Sequence, residues 1–137
     1  EQAFENYSIA LEFSRKNKNR KSESEVLANI AQIYHRWIRF IEAVDYFTMS
    51  IDIKKQINDT LNLGKTLYKL GNVYMDMGDT INALKSFEES LLVDSLLENN
   101  HNKAVALNNL GILYFSRGEL DKALKYYLKA YQVLFLK

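Results

Sequence analysis

The chain has 137 residues, 47% of them apolar and 26% charged, a balance that suits one folded domain and excludes a disordered tail. Its formal net charge is +1, so no global field draws it to nucleic acid or a membrane surface, and no apolar run approaches the roughly 18 residues of a spanning helix. It has no cysteine, which excludes disulfides and thiolate chemistry, and no proline, which suits long uninterrupted helices.

Taken in order, the apolar spacing predicts seven helices, at about 2–17, 22–37, 40–57, 61–77, 80–97, 101–117 and 120–136. On the fourth, Leu63, Leu67, Leu70, Tyr74 and Met77 recur at three and four residues and make one apolar face. Ile81, Leu84, Phe87, Leu91 and Val93 are read the same way on the fifth. No stretch sustains an alternation of period two, so no strand is expected. The middle of the chain is acidic between two basic ends: residues 41–100 carry 10 acidic and 5 basic side chains, against 5 and 7 in residues 1–40 and 2 and 6 in residues 101–137.

The joints between helices are marked by polar and small residues. Gly78 and Gly118 occupy turns where a positive φ is cheapest as glycine. Asn19, Asp59 and Asn99 mark the alternate joints as helix N-caps or turn formers, and Ser22-Glu-Ser-Glu25 fits a capping box. The first copy has Ile38 where the others have glycine. A β-branched residue resists positive φ, so a different turn is expected there, with the preceding helix running further.

The decisive feature is a repeat. Asn109-Leu-Gly-Ile-Leu-Tyr114, followed by Gly118 through Ala123, matches Lys69-Leu-Gly-Asn-Val-Tyr74 with Gly78 through Ala83, forty residues earlier. Asn29-Ile-Ala-Gln-Ile-Tyr34, with Ile38 through Ala43, is a third copy, and Ala3, Tyr7 and Ala10 fall in register with Ala43, Phe47 and Ser50. A fixed period in this range marks stacked helical units that bury their core only against neighbours. Gly71 and Gly111, matched by Ala31, lie inside helices where glycine costs about 1 kcal/mol against alanine. That cost is sensible where a neighbouring helix approaches closely, and Ala43, Ala83 and Ala123 offer the matching small residue. Gly64 is an isolated glycine with no such pattern.

These residues resemble the tetratricopeptide repeat family. One copy reads Leu67, Leu70, Gly71, Tyr74, Ala83, Phe87, Ser90; the next reads Leu107, Leu110, Gly111, Tyr114, Ala123, Tyr127, Ala130; the earlier reads Ile30, Ala31, Tyr34, Ala43, Phe47, Ser50. The family's proline near the repeat end is absent, and the period is forty rather than the usual 34. The Gly71-to-Ala83 interval is the usual one, so the extra length falls in the second helix of each pair and the following first helix. The resemblance implies an all-α fold: a right-handed superhelix, or α-solenoid, of antiparallel helix pairs. It covers residues 1–137 as one array, with 1–20 the second helix of a partial repeat and 21–60, 61–100 and 101–137 the repeats.

In the family the first helix of each pair lines a concave face. By register that groove would hold Glu25, Ala28, Gln32, His35 and Arg36; then Lys65, Tyr68, Asn72, Met75 and Asp76; then Val105, Asn108, Asn109, Ile112, Phe115 and Ser116. Amides can bond an extended backbone as donor and acceptor, and Met75, Ile112 and Phe115 could hold an apolar ligand side chain. The resemblance therefore implies a module that binds a protein or peptide, either as a scaffold or as the sensory segment of a larger signalling protein such as a transcription regulator or sensor kinase. Asn72 fits the set that some members use to clamp a C-terminal carboxylate, but Tyr68 and Lys65 do not complete it.

Other features weigh little. The cluster Arg15-Lys-Asn-Lys-Asn-Arg-Lys21 reads as a solvated loop with a lesser claim on acidic partners. His35 and Arg36 beside Trp37 and Phe40 read either as a recognition spot or as the packing of an unusual turn. His35 and His101 have no second ligand at metal spacing, and no glycine-rich phosphate loop occurs, so no enzyme, metal or cofactor is expected. No direct nucleic-acid contact and no membrane contact are expected. The last helix carries Tyr126, Tyr127, Leu128, Tyr131, Val133, Leu134, Phe135 and Leu136, more apolar surface than a terminal helix needs. The chain also opens in mid-repeat. A piece of a longer array continuing past Lys137, self-associating through this end when isolated, is the expectation.

Overall fold

The computed structural model describes residues 1–136. Among them seven helices follow one another: α1 (Gln2–Lys16), α2 (Arg20–Arg36), α3 (Phe40–Gln56), α4 (Thr60–Asp76), α5 (Thr80–Leu96), α6 (Asn100–Ser116) and α7 (Leu120–Phe135), with no strand. Each helix packs on the next in sequence, and α4 with α6 is the one further substantial pairing among the described residues. Such nearest-neighbour packing is a solenoid and not a closed bundle.

The regular spacing comes from the turns. Residues in the left-handed region end successive helices at Lys18 (φ 54), Ile38 (φ 59), Asn58 (φ 56), Gly78 (φ 79), Glu98 (φ 53) and Gly118 (φ 75). At Gly78 the turn closes through Gly78 N–H to Met75 O (2.9 Å) and Asp79 N–H to Tyr74 O (2.8 Å). Ile38 closes the same way, to His35 O at 3.0 Å and, through Arg39 N–H, to Tyr34 O at 2.9 Å. The expectation of a different turn and a longer helix at Ile38 is therefore wrong, since α2 ends at Arg36 as α4 ends at Asp76. Stacking on both sides dictates the turn, and the isoleucine accepts a backbone strain of about 1–2 kcal/mol.

The capping box at Ser22–Glu25 is not formed either. Asn19 is the cap, its side chain accepting from Ser22 N–H at 3.1 Å, and Asn99 and Asp79 cap α6 and α5 identically through Asn102 and Asn82 N–H. Asp59 makes no such bond and instead accepts from the Asn62 amide at 2.9 and 3.0 Å.

The core runs continuously along the stack. Ala28 and Ala31 of α2, Ala43, Phe47 and Ile51 of α3, and Leu63, Leu67, Leu70 and Val73 of α4 form one buried cluster. Ala83, Phe87, Leu110 and Leu113 carry it onward. Gly71 and Gly111 do mark close approach, but the group against each is a ring: a methyl at Gly71 would lie 2.5 Å from Phe87, and one at Gly111 2.6 Å from Tyr127. Ala83 and Ala123 are buried one turn before those rings. Two residues read as apolar-face members lie outside the core: Ile81 is 78% exposed and Met77 is exposed. The buried residues of α5 are instead Ala83, Ser86, Phe87, Ser90 and Asp94.

Candidate functional site

The first helices of the pairs, α2, α4 and α6, lie side by side, and α3 and α5 form the floor beneath them. Between α2 and α4 they leave a cavity of about 280 Å³, lined by Glu25, Ala28, Asn29 and Gln32 of α2, Lys54 of α3, and Asn62, Lys65, Thr66 and Lys69 of α4. At one end of this face His35 Nε2 meets Asp76 Oδ2 at 2.6 Å, which ties α2 to α4. The structure thus brings Glu25, Ala28, Gln32 and Lys65 into one cavity and pairs His35 with Asp76. Arg36 stands exposed nearby.

Further along, the residues separate by role. Tyr68 and Met75 are half-buried against the Ala83–Phe87–Leu110–Leu113 core, so they are held by packing. Asn72 and Asn109 are half-buried, and Asn108 is exposed. Ile112 and Phe115 project from α6, Phe115 being 61% exposed. Ser116 spends its hydroxyl on Leu113 O at 2.7 Å.

The floor of the groove is the part that sequence reading missed. Lys54 is only 2% exposed. Its ammonium donates to Ser50 Oγ at 2.7 Å and Ser24 O at 3.2 Å, and Ser50 Oγ also donates to Ser24 O at 2.6 Å. Burial pushes the Lys54 ammonium below its ordinary pKa; Asp59 and Glu25 oppose this through space. Lys69 is pushed down too, first by burial and then by the neighbouring charge of Lys65.

Forty residues on, the equivalent position holds the opposite charge. Asp94 is fully buried; the Ser90 hydroxyl is shared between Gly64 O (2.9 Å) and Asp94 Oδ2 (3.3 Å). Asp94 Oδ1 and the Asn102 side-chain nitrogen have no partner among the described residues. Burial raises the Asp94 carboxyl pKa; Ser90, Asn102 and Lys65 oppose the rise. Gly64 is not an idle glycine: a methyl there would run into the Asp94 carboxylate. A signal for both positions existed. Phe47, Ser50 and Lys54 share one helical face by their spacing, as do Phe87, Ser90 and Asp94.

The remaining features resolve simply. Arg15 and Arg20 of the basic cluster both pair with the buried Glu23, at 3.1 and 2.8 Å, so part of that cluster is engaged within the chain. Trp37 is 45% exposed and packs on Phe4 and Tyr34, with ring centroids 5.6 and 6.0 Å apart. On α7, Leu124, Leu128, Tyr131 and Phe135 form an exposed stripe. Among the described residues no helix is long and apolar enough to cross a membrane.

A sequence profile described as tetratricopeptide repeat matches residues 62–134. No curated protein matches the chain. Among solved structures it is similar to BtubC (BKLC) from P. vanneervenii, at 20% identity and a TM-score of 0.86 over 95% of this chain; it spans 54% of that one, about half its length. It is also similar to the TPR domain of Arabidopsis FLU, at 18% identity and a TM-score of 0.78, covering 86% of this chain and 99% of that domain. A putative kinesin light chain with nearly identical TPR-like repeats from Podosopora anserina is 15% identical with a TM-score of 0.76, covering 97% of this chain and 66% of that one. At these identities the likeness concerns the fold.

Proposed function

The chain belongs to the tetratricopeptide repeat family, and on that premise we propose that it is an interaction module that holds an extended peptide or partner segment along the face of α2, α4 and α6. The observation that carries this reading is the composition of one continuous face. Its α2–α4 end is a polar cavity with amides at Asn29, Gln32 and Asn62. Its α6 end presents Ile112 and Phe115 to solvent. Amides satisfy the backbone of an extended segment, and the apolar pair receives a side chain from it. The module works by shape and groove chemistry and carries out no reaction.

The test is selection of random peptides on the folded domain, followed by affinity measurement. Asn72→Ala and Phe115→Ala should each weaken the selected peptides by about tenfold, the scale of one lost polar or apolar anchor. Lys85→Ala on the exposed side of α5 should leave binding unchanged. Equal binding to the wild type and both groove variants would remove the groove from consideration.

A further inference from the structure

The second helices of the pairs leave gaps of their own, away from the peptide groove. In the first two repeats the charged positions on this side are paired within the chain. Arg15 of α1 meets Glu23 of α2 at 3.1 Å, and Lys55 of α3 meets Glu89 of α5 at 2.8 Å. The gap that Lys55 and Glu89 line is a cavity of about 200 Å³, with Ile51 and Leu67 in its wall. One repeat on, the equivalent gap among α5, α6 and α7 is a cavity of about 470 Å³ with no acidic residue in its lining. By helical spacing its α6 residues, Lys103 and Leu107, lie on the side of that helix away from Ile112 and Phe115.

The forty-residue register shows what has changed. Ser95 stands where Arg15 and Lys55 stand, Lys103 where Glu23 and Leu63 stand, and Lys129 where Met49 and Glu89 stand. Both acids are thus replaced by lysines, and the cations they paired with by a serine. Neither Lys103 nor Lys129 makes an ion pair among the described residues. Lys129 faces the Tyr126 ring at 5.5 Å, a weak contact at an exposed site. Lys103 is half-buried at a position where the preceding repeat buries Leu63, so its stem and head lose hydration without gaining a partner. The rest of the wall is largely apolar: Leu91 and Val133 pack on Leu107, and Leu136 adjoins them.

We propose that this cavity binds a small amphiphile with one anionic head and an aliphatic body, Lys103 and Lys129 holding the head while Leu91, Leu107, Val133 and Leu136 cover the body. The head supplies the negative charge that Glu23 and Glu89 supply in the earlier repeats. A bare anion would leave the apolar wall wet, and a neutral hydrocarbon would leave both cations unpaired. The volume falls within the range of about 300–1,000 Å³ for small-molecule sites, which are mostly apolar with a few placed polar groups. The site is separate from the peptide groove and does not depend on it.

The experiment titrates the whole chain with decanoate, decyl phosphate and decanol in a calorimeter, below the micellar range of each. At least one of the two anions should bind once per chain and about tenfold tighter than decanol, the scale of a charge-assisted hydrogen bond. Ser95→Lys combined with Lys129→Glu copies the Lys55–Glu89 pair into this repeat and should abolish that preference. Lys103→Leu, the residue of the preceding repeat, should lower the anion to the affinity of decanol and leave decanol unchanged. Thermal melts establish that the variants fold, and Lys103→Leu keeps the test valid if the double variant does not. Lys65→Gln, in the peptide groove, should leave the anion's affinity as it is. Absence of saturable binding, equal affinity for charged and neutral probes, several probes per chain, or an anion preference that survives Lys103→Leu would each overturn the assignment.

Discussion

The first and second repeats build the same floor with opposite charges. In the first, Ser24, Ser50 and Lys54 meet; in the second, Gly64, Ser90 and Asp94 meet at the equivalent positions. The serine on the second helix does the same work in both, bonding a carbonyl of the first helix at 2.6 and 2.9 Å. What differs is how room is made. The long lysine reaches past Ser24 to its carbonyl, whereas the short aspartate presses directly against the α4 backbone, where only the absence of a Cβ at Gly64 admits it. The third repeat has no polar floor: Ala104 and Ala130 are buried, and Leu134, at the charged position, is 47% exposed on the last helix. Helix stacking therefore fixes where the floor lies and leaves its chemistry open to a use in binding.

The largest expected break in this comparison is at Gly64. Gly64→Ala forces a methyl against a buried carboxylate and should cost about 1–3 kcal/mol in denaturant unfolding. Ser24→Ala, at the matching position, should cost less, about 0.5–1 kcal/mol, because it removes only the hydroxyl's own bond to Lys21 O (2.8 Å) and retains the carbonyl that Lys54 and Ser50 use. Combining Gly64→Ala with Asp94→Ala should recover most of the loss, as contacting sites couple.

The two floor charges should also respond oppositely to pH. Asp94 has its pKa raised by burial, so the native state holds this proton more tightly than the unfolded chain. Between the ordinary carboxylate value and the raised one, stability contributed at this site falls as pH rises, and Asp94→Asn should abolish that fall. Lys54 has its pKa lowered by burial, so the native state gives up its proton first. Between the lowered value and the ordinary ammonium value, stability rises with pH, and Lys54→Met should flatten that rise. Urea midpoints across the acid and alkaline ranges measure both slopes.

A smaller effect separates the turns of the same two repeats. Ile38 and Gly78 share one left-handed conformation, at φ 59 and φ 79. Ile38→Gly should gain about 1 kcal/mol from relieved strain, and Gly78→Ile should lose about as much, read from melting temperatures.

Most of the architecture was legible because the chain writes it several times. A forty-residue period with aromatic, small and turn residues in phase leaves one helix arrangement that buries every copy alike, and the observed helix ends fall within about two residues of the predicted ones. What failed was what neighbours impose. Ile38 is left-handed because the stacked pairs on either side close its turn, a tertiary demand that a local propensity opposes. Tyr68 and Met75 carry the right register for the groove, yet α6 and α5 draw them into packing. Lys54 escaped notice because Lys54 and Lys55 look like one solvated pair in sequence. Only stacking separates them, one buried and the other exposed enough to pair with Glu89 at 2.8 Å. Asn29, Asn62, Thr66 and Lys69 were passed over because a single stripe of register positions is narrower than the cavity two helices enclose.

The most direct measurement is a carbon-13 NMR titration of the lysine Cε methylenes, wild type against Lys54→Met. The expected result is two lysines titrating below the rest, Lys54 and Lys69, with one of them absent from the variant. If every lysine titrates together, or the variant loses only a lysine of ordinary pKa, then Lys54 is solvated and paired like any surface residue, and the groove has no uncompensated cation at its floor.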